Sequence, residues 1–115
     1  MPFTNAAKNT MLDALETTYT LYAALFTGDP SGAGTELTGG DPAYARQAVT
    51  LGAASAGQIV VETDETFDVP AGATVNYVAI YDAATAGNLI AYEAVTEEVY
   101  AAQGQYVLTE QTYSI

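Results

Sequence analysis

The sequence predicts an all-β domain, an antiparallel β-sandwich of jelly-roll type with about seven or eight strands and one short N-terminal helix. Three observations carry that expectation. Beyond the first 16 residues the apolar pattern repeats at two residues rather than 3.6. Short runs rich in Val, Ile, Thr and Tyr recur at near-regular spacing, with Gly and Pro between them. No heptad, internal repeat or low-complexity linker interrupts the 115 residues. Residues 1–115 are therefore read as a single domain, with a helical arm over 1–16 and a long loop over 28–43.

The elements follow in order. Thr4 or Asn5 can cap a helix over residues 4–15, because Ala7, Met11, Leu12 and Leu15 fall on one face. That helix either caps one end of a sheet or docks on a neighbouring subunit. Thr18–Thr27 reads as a strand with large apolar groups on both faces, so it is expected to be covered on both. Gly28–Pro42 is rich in Gly and carries Asp29, Glu36 and Asp41. Its length marks it as functional or flexible. Gly32-Ala-Gly34 lacks the Lys-Ser/Thr and the following helix of a phosphate cradle.

Tyr44–Leu51, Gln58–Thr63 and Thr66–Val69 read as further strands. Pro70-Ala-Gly72 is a turn, with Pro setting φ at one corner and Gly free to take a positive φ. Thr74–Tyr81 is the clearest strand. It pairs through the turn-rich 82–88 segment, which includes Gly87, with a strand over Leu89–Ala94. Residues 96–103 fit either one helical turn or an exposed strand edge. Gln105–Tyr113 is the last strand.

Composition excludes several classes of function. Fourteen acidic side chains against two basic ones give a net charge of −12. Lys8 and Arg46 cannot form a phosphate-binding patch, so no nucleic acid is expected as partner. There is no Cys and no His, so thiolate zinc sites, thiol nucleophiles and the commonest general base are missing. No apolar run is long enough to span a membrane. No basic start followed by an apolar stretch marks a signal peptide, so synthesis in a host cytoplasm is expected.

The candidate chemistry is thin. Asp64/Glu65/Asp68 and Glu97/Glu98 are the closest carboxylate clusters for glycosidase-type catalysis, but they lie in turns or at strand ends, where acids are ordinarily solvated. Asp29, Glu36, Asp41 and Asp82 supply loop oxygens of the kind calcium takes, without the EF-hand pattern. No catalytic residue, cofactor or metal site is assigned. Arg46 stands alone in a strand among acids. It is expected to form a fixed ion pair with Glu36 or Asp41 that pins the long loop to the sandwich, the alternative being a contact across a subunit interface. Nine Tyr favour a binding surface over a catalytic one.

One stretch goes beyond generic β pattern. Phe67-Asp-Val-Pro-Ala-Gly-Ala-Thr-Val, followed by Tyr81-Asp-Ala-Ala-Thr-Ala-Gly-Asn-Leu, resembles a family of small tailed-phage virion proteins labelled as tail-fibre or head-decoration proteins. Glu36-Leu-Thr-Gly-Gly with Tyr44-Ala-Arg-Gln-Ala-Val-Thr50, the start from Asn5 to Leu15 and the Thr-Gly-Asp-Pro turn at 27–30 resemble the same family. The departures are the low Lys/Arg count and Tyr81 where Trp is expected.

The resemblance implies a non-enzymatic structural protein of the virion. Within that class, a short chain without a shaft points to a capsid decoration or cement protein bound to the major capsid protein or other virion proteins. A tail-associated or fibre-base protein is the alternative within the class. A carbohydrate- or receptor-binding sandwich is the alternative outside it. A homo-oligomer, a trimer above all, is expected. Residues 4–15 and 28–42 are expected to carry its contacts, with the loop mobile until docked.

Overall fold

The computed structural model describes residues 3–61, 64–108 and 112–114. The helix α1 (Asn5–Thr18) starts where Thr4 Oγ1 accepts a hydrogen bond from the Ala7 N–H. It runs three residues past Leu15, into Thr17 and Thr18, which the sequence pattern gives in part to the next strand. Thr10 and Thr17 donate their hydroxyls to carbonyls one turn back, so both are satisfied inside the helix. Leu12 and Leu15 face the core. Asp13 accepts from the Ala54 N–H and Asn9 from the Gly57 N–H, which fastens α1 to the 52–57 loop of its own chain.

The strands are β1 (Tyr22–Thr27), β2 (Thr35–Glu36), β3 (Gln47–Ala48), β4 (Gln58–Val60), β5 (Glu65–Val69), β6 (Thr74–Tyr81), β7 (Leu89–Val99), β8 (Gly104–Leu108) and β9 (Thr112–Ser114). Every pairing among them is antiparallel. The main sheet runs β2-β1-β6-β7, with β3 also on β1 beside β2. The pairs β4–β9, β5–β8 and β6–β7 nest one inside the other, as in a ribbon folded on itself. Among the described residues the two outer pairs form two two-stranded sheets. The fold is thus an antiparallel β-sandwich with one helix, drawn out to 46 × 24 × 23 Å.

The ribbon bends at Pro70–Ala73 and at Tyr100–Gln103. There the Gly72 N–H donates to Tyr100 O at 2.6 Å, and the Tyr100 N–H to Ala73 O at 2.8 Å. Gly72 takes φ +83, a conformation that disfavours any side chain.

The core lies between the inner face of the main sheet and the β5–β8 layer. Leu25, Val75 and Val78 from the sheet meet Phe67, Val69 and Leu108 from the layer, all fully buried. β1 is covered on both faces: Ala23 and Leu25 join that core, while Ala24 and Phe26 form a second cluster with Ala79 on the outer face. On β6, Val75 sits inside with Val78 and Ile80, three residues away rather than two. The register breaks between Val75 and Tyr77, and that break shifts the alternation.

Several elements depart from the sequence reading. Tyr44–Leu51 is not one strand: Gln47–Ala48 pair with β1 and Leu51 bridges Val61, and the other edge of β1 is shared between two two-residue strands. Tyr19 lies outside β1 and is 42% exposed. The 96–103 segment carries no helical turn: β7 continues to Val99, then turns. β8 and β9 both lie largely within the span read as the last strand, and residues 109–111 between them fall outside the described residues.

The 28–43 segment is not an unstructured loop. Asp29 accepts from the Ser31 N–H and hydroxyl, and its carbonyl accepts from the Gly32 and Gly34 N–H groups. This knits a tight turn that returns the chain to β1 as β2. A Cβ at Gly34 would lie 2.5 Å from the Gly28 and Asp29 carbonyl oxygens, so only Gly permits the turn. Further on, Asp41 N–H and Pro42 O are both held by the Gln103 side chain at the ribbon's bend.

Candidate functional site

The densest polar constellation forms at the β2/β3 edge of the main sheet. β1 pairs with β3 at residues 22 and 23 and with β2 at 26 and 27, which leaves a gap between them. The Tyr44 hydroxyl fills part of that gap. It accepts from the Leu25 N–H at 3.0 Å and donates to Glu36 Oε2 at 2.7 Å. A phenol thus stands where a neighbouring strand would have offered a carbonyl.

Arg46 closes the site from the outer side. Its Nε and Nη2 donate to Glu36 Oε2 and Oε1, both at 2.8 Å, in a bidentate pair. Nη1 donates to Ala83 O at 3.0 Å and Ala86 O at 2.8 Å in the β6–β7 loop. The guanidinium carbon lies 4.0 Å from the centroid of the Tyr81 ring, and that ring stacks on Phe26 at 6.1 Å. One side chain therefore ties three segments together: 36–46, the sheet, and 82–88. The Arg46 side chain is 7% exposed and Glu36 24%.

The electrostatics follow from this geometry. Burial alone would raise the Glu36 carboxyl. The hydrogen bonds from Arg46 and Tyr44 and the guanidinium charge outweigh it and hold the group below its ordinary value of 4.5. Burial, and then the adjacent Glu36 carboxylate, push the Tyr44 phenol far above 10. The hydrogen bond to Glu36 is the main reason Arg46 is held cationic even more firmly than usual. Tyr44 is thereby kept protonated and Glu36 ionised, and the hydrogen bonds of all three point inward. Beside them the segment 37–39 and Ala84–Ala86 line an open groove of about 420 Å³.

The structure pairs Arg46 with Glu36; Asp41 is exposed and takes no part. Asp29 and Asp82 also lie apart from it. The Asp82 carboxylate accepts from the Asn88 N–H at 2.7 Å and from its side-chain amide at 2.9 Å, closing the 82–88 loop. Gly87, at φ +80, lies against it, and a Cβ there would stand 2.6 Å from Asp82 Oδ1. The four carboxylates considered for calcium are thus spread over separate segments, Glu36 in β2 and the others in turns. Among the described residues no three acidic side chains gather as a metal site. Of the other acidic clusters, Asp64, Glu97 and Glu98 are exposed, and Glu98 accepts from the Tyr100 hydroxyl at 3.0 Å.

Sequence reasoning missed Tyr44, Tyr81 and the two loop carbonyls. The Tyr44-Ala-Arg46 spacing held part of the signal, since alternate residues of an extended segment share a side.

A family model described as "Podophage GP4 fiber I protein gp80" matches residues 2–111. Searches of curated proteins and of solved structures give no match. The matched span covers nearly the whole chain and agrees with the resemblance carried by the Val-Pro-Ala-Gly turn and the Tyr-Asp-Ala hairpin. The chain belongs to the podophage GP4 fiber I protein gp80 family, a family of tailed-phage virion proteins.

Proposed function

We propose that this protein is a non-enzymatic structural subunit of a podophage tail fibre, held in the particle by other virion proteins and by copies of itself. The single observation that carries this reading is the family match over residues 2–111. The candidate site is consistent with it. Arg46, Glu36 and Tyr44 are spent on one another and on backbone groups, which is how a chain locks a shape rather than how it binds a substrate. A trimer is the closed oligomer we favour.

The finer alternative is a capsid decoration or cement protein bound to the major capsid protein. The fibre description of the matched family favours the tail over the shell. Imaging of intact particles with the chain labelled tests the choice. Signal at the tail is expected; signal spread over the capsid would replace the fibre reading with decoration. Binding of the free protein to host-cell glycans would support a receptor-binding role instead.

A further inference from the structure

We infer that the outer face of the main sheet is a contact surface for a second copy of this chain, a step that rests on the reading of the protein as a fibre subunit. Cross-strand register places the residues. One row across the sheet is Tyr22–Tyr81–Leu89, the next Ala24–Ala79–Tyr92, and the third Phe26–Tyr77–Ala94. Phe26 and Tyr81 stack over the middle row, which buries Ala24 and Ala79 completely. The result is a plate of rings laid over buried alanines, with Tyr22, Tyr77, Tyr81 and Leu89 half-buried around it. Tyr92, on its β7 margin, is 44% exposed.

Charge chooses the occupant. The ion pair on this face among the described residues, Arg46 with Glu36, is neutral. Among the described residues, the other acids of this strongly acidic chain lie off the plate: on α1 (Asp13), on the turns, on the β5 side (Asp64, Asp68) and at the far end of β7 (Glu97, Glu98). Two copies approaching through those surfaces set acid against acid. Through the tyrosine plate they do not. A basic partner would be drawn to the acidic surfaces and would gain nothing from a neutral plate.

The free edge of β7 is a poorer route. Glu93 sits opposite Val78, on the inner side of the sheet, with Oε2 buried and without a hydrogen-bond partner among the described residues. An inward-turned charge on an edge strand blunts edge-to-edge pairing. The contact is therefore face to face, a two-fold pairing between trimers and not the contact that closes one.

Its size sets its strength. Three strand widths of ~4.8 Å by three rows of ~6.8 Å give at most on the order of 300 Å². A stable interface needs ~800 Å² per partner. The free protein should thus associate weakly, and the contact should persist only where the particle holds copies together.

The chain has no Cys, so single-Cys variants read proximity directly. Tyr92→Cys should form a covalent dimer on mild oxidation. Val107→Cys, 51% exposed on the opposite layer, and Thr10→Cys on the exposed side of α1 should not. Melting curves confirm that each variant is folded. Cross-linking at Thr10 or Val107 but not at Tyr92 overturns the inference, and so does a Tyr92→Asp variant that loses host-cell binding while Tyr92→Cys stays monomeric. The location of the chain in the particle is read separately, so failure here leaves the fibre reading to its own test.

Discussion

The two faces of the main sheet are built on different physics. The inner face is aliphatic. Leu25, Val75, Val78 and Ile80 press on Phe67, Val69 and Leu108, with the Glu93 carboxylate on its β7 margin. Its cohesion comes from area removed from water and from close packing, and neither depends on pH or salt. The outer face is small and aromatic: alanines roofed by Phe26 and Tyr81, with Arg46 laid on the Tyr81 ring and fixed by Glu36. Its cohesion is directional and charge-dependent. Tyr44 joins the two, because its ring stacks with Phe67 at 6.4 Å while its hydroxyl holds Glu36. The inner face keeps the chain folded; the outer face fixes how the 36–46 segment and the 82–88 loop lie on it.

If that division holds, the largest loss comes from the inner face. Phe67→Ala removes a fully buried ring and should cost about 3–5 kcal/mol in urea unfolding. Arg46→Ala should cost less, about 2–3 kcal/mol, chiefly by leaving the Glu36 carboxylate half-buried without its cation. The two losses should also differ in kind. Amide exchange in the Arg46→Ala variant should rise over residues 36–46 and 82–88 before the core strands open. Uniform exchange across the chain would show that the clamp is part of one cooperative core, and the comparison would fail.

Much of the inner face was legible in the sequence, and little of the outer. Thr74–Tyr81 is a strand with the bounds its Val, Ile and Tyr pattern suggests, because a centrally buried strand has no competing use for those residues. The Pro70–Gly72 turn was legible for the same reason: its chemistry is local. The 28–43 segment was not. Its Gly residues read as looseness, whereas Gly34 serves a turn so tight that no other residue fits. Part of its order is local, through Asp29, and the rest comes from Tyr44 and Gln103, partners that only the folded chain brings near. Arg46 announced that it would be paired. The choice between Glu36 and Asp41 depended on β2 bringing Glu36 back beside β1, which two residues of strand pattern cannot announce. The face switch on β6 depends on a register break that a strict two-residue period conceals.

A smaller change sharpens the role of Tyr44 as the joint between the faces. Tyr44→Phe keeps the ring over Phe67 but removes the hydroxyl that accepts from Leu25 and donates to Glu36. The expected loss is about 1–2 kcal/mol, the cost of one buried N–H left without a partner and one bond fewer to a carboxylate. A double variant with Arg46→Ala should lose less than the sum of the two single losses, because both act through Glu36. Strict additivity would mean that Tyr44 and Arg46 stabilise different things, and that the joint does not exist.

The smallest effect concerns acid, and here two electrostatic trends oppose each other. The chain carries a net −12, so protonating exposed carboxylates relieves self-repulsion and favours the fold as pH falls. Glu36 works the other way. Arg46 and Tyr44 hold its carboxyl in the folded chain below its ordinary 4.5, so the unfolded chain takes up the proton first. The stability this group contributes is fully present above 4.5 and is lost as pH falls through the lower, folded value. A melting curve of the natural chain mixes the two trends, and the repulsion term can hide the other. Comparison with Glu36→Gln separates them, because both chains share every other carboxylate while the variant keeps the shape of Glu36 without its charge. The melting-temperature gap between the two should be constant above 4.5 and narrow below it. Molar salt should flatten the common trend more than the gap, since exposed charges are screened more than a half-buried pair. A gap that stays unchanged into strong acid would mean that the Arg46–Glu36 pair contributes through shape alone, and the outer face would then be held, like the inner one, by packing.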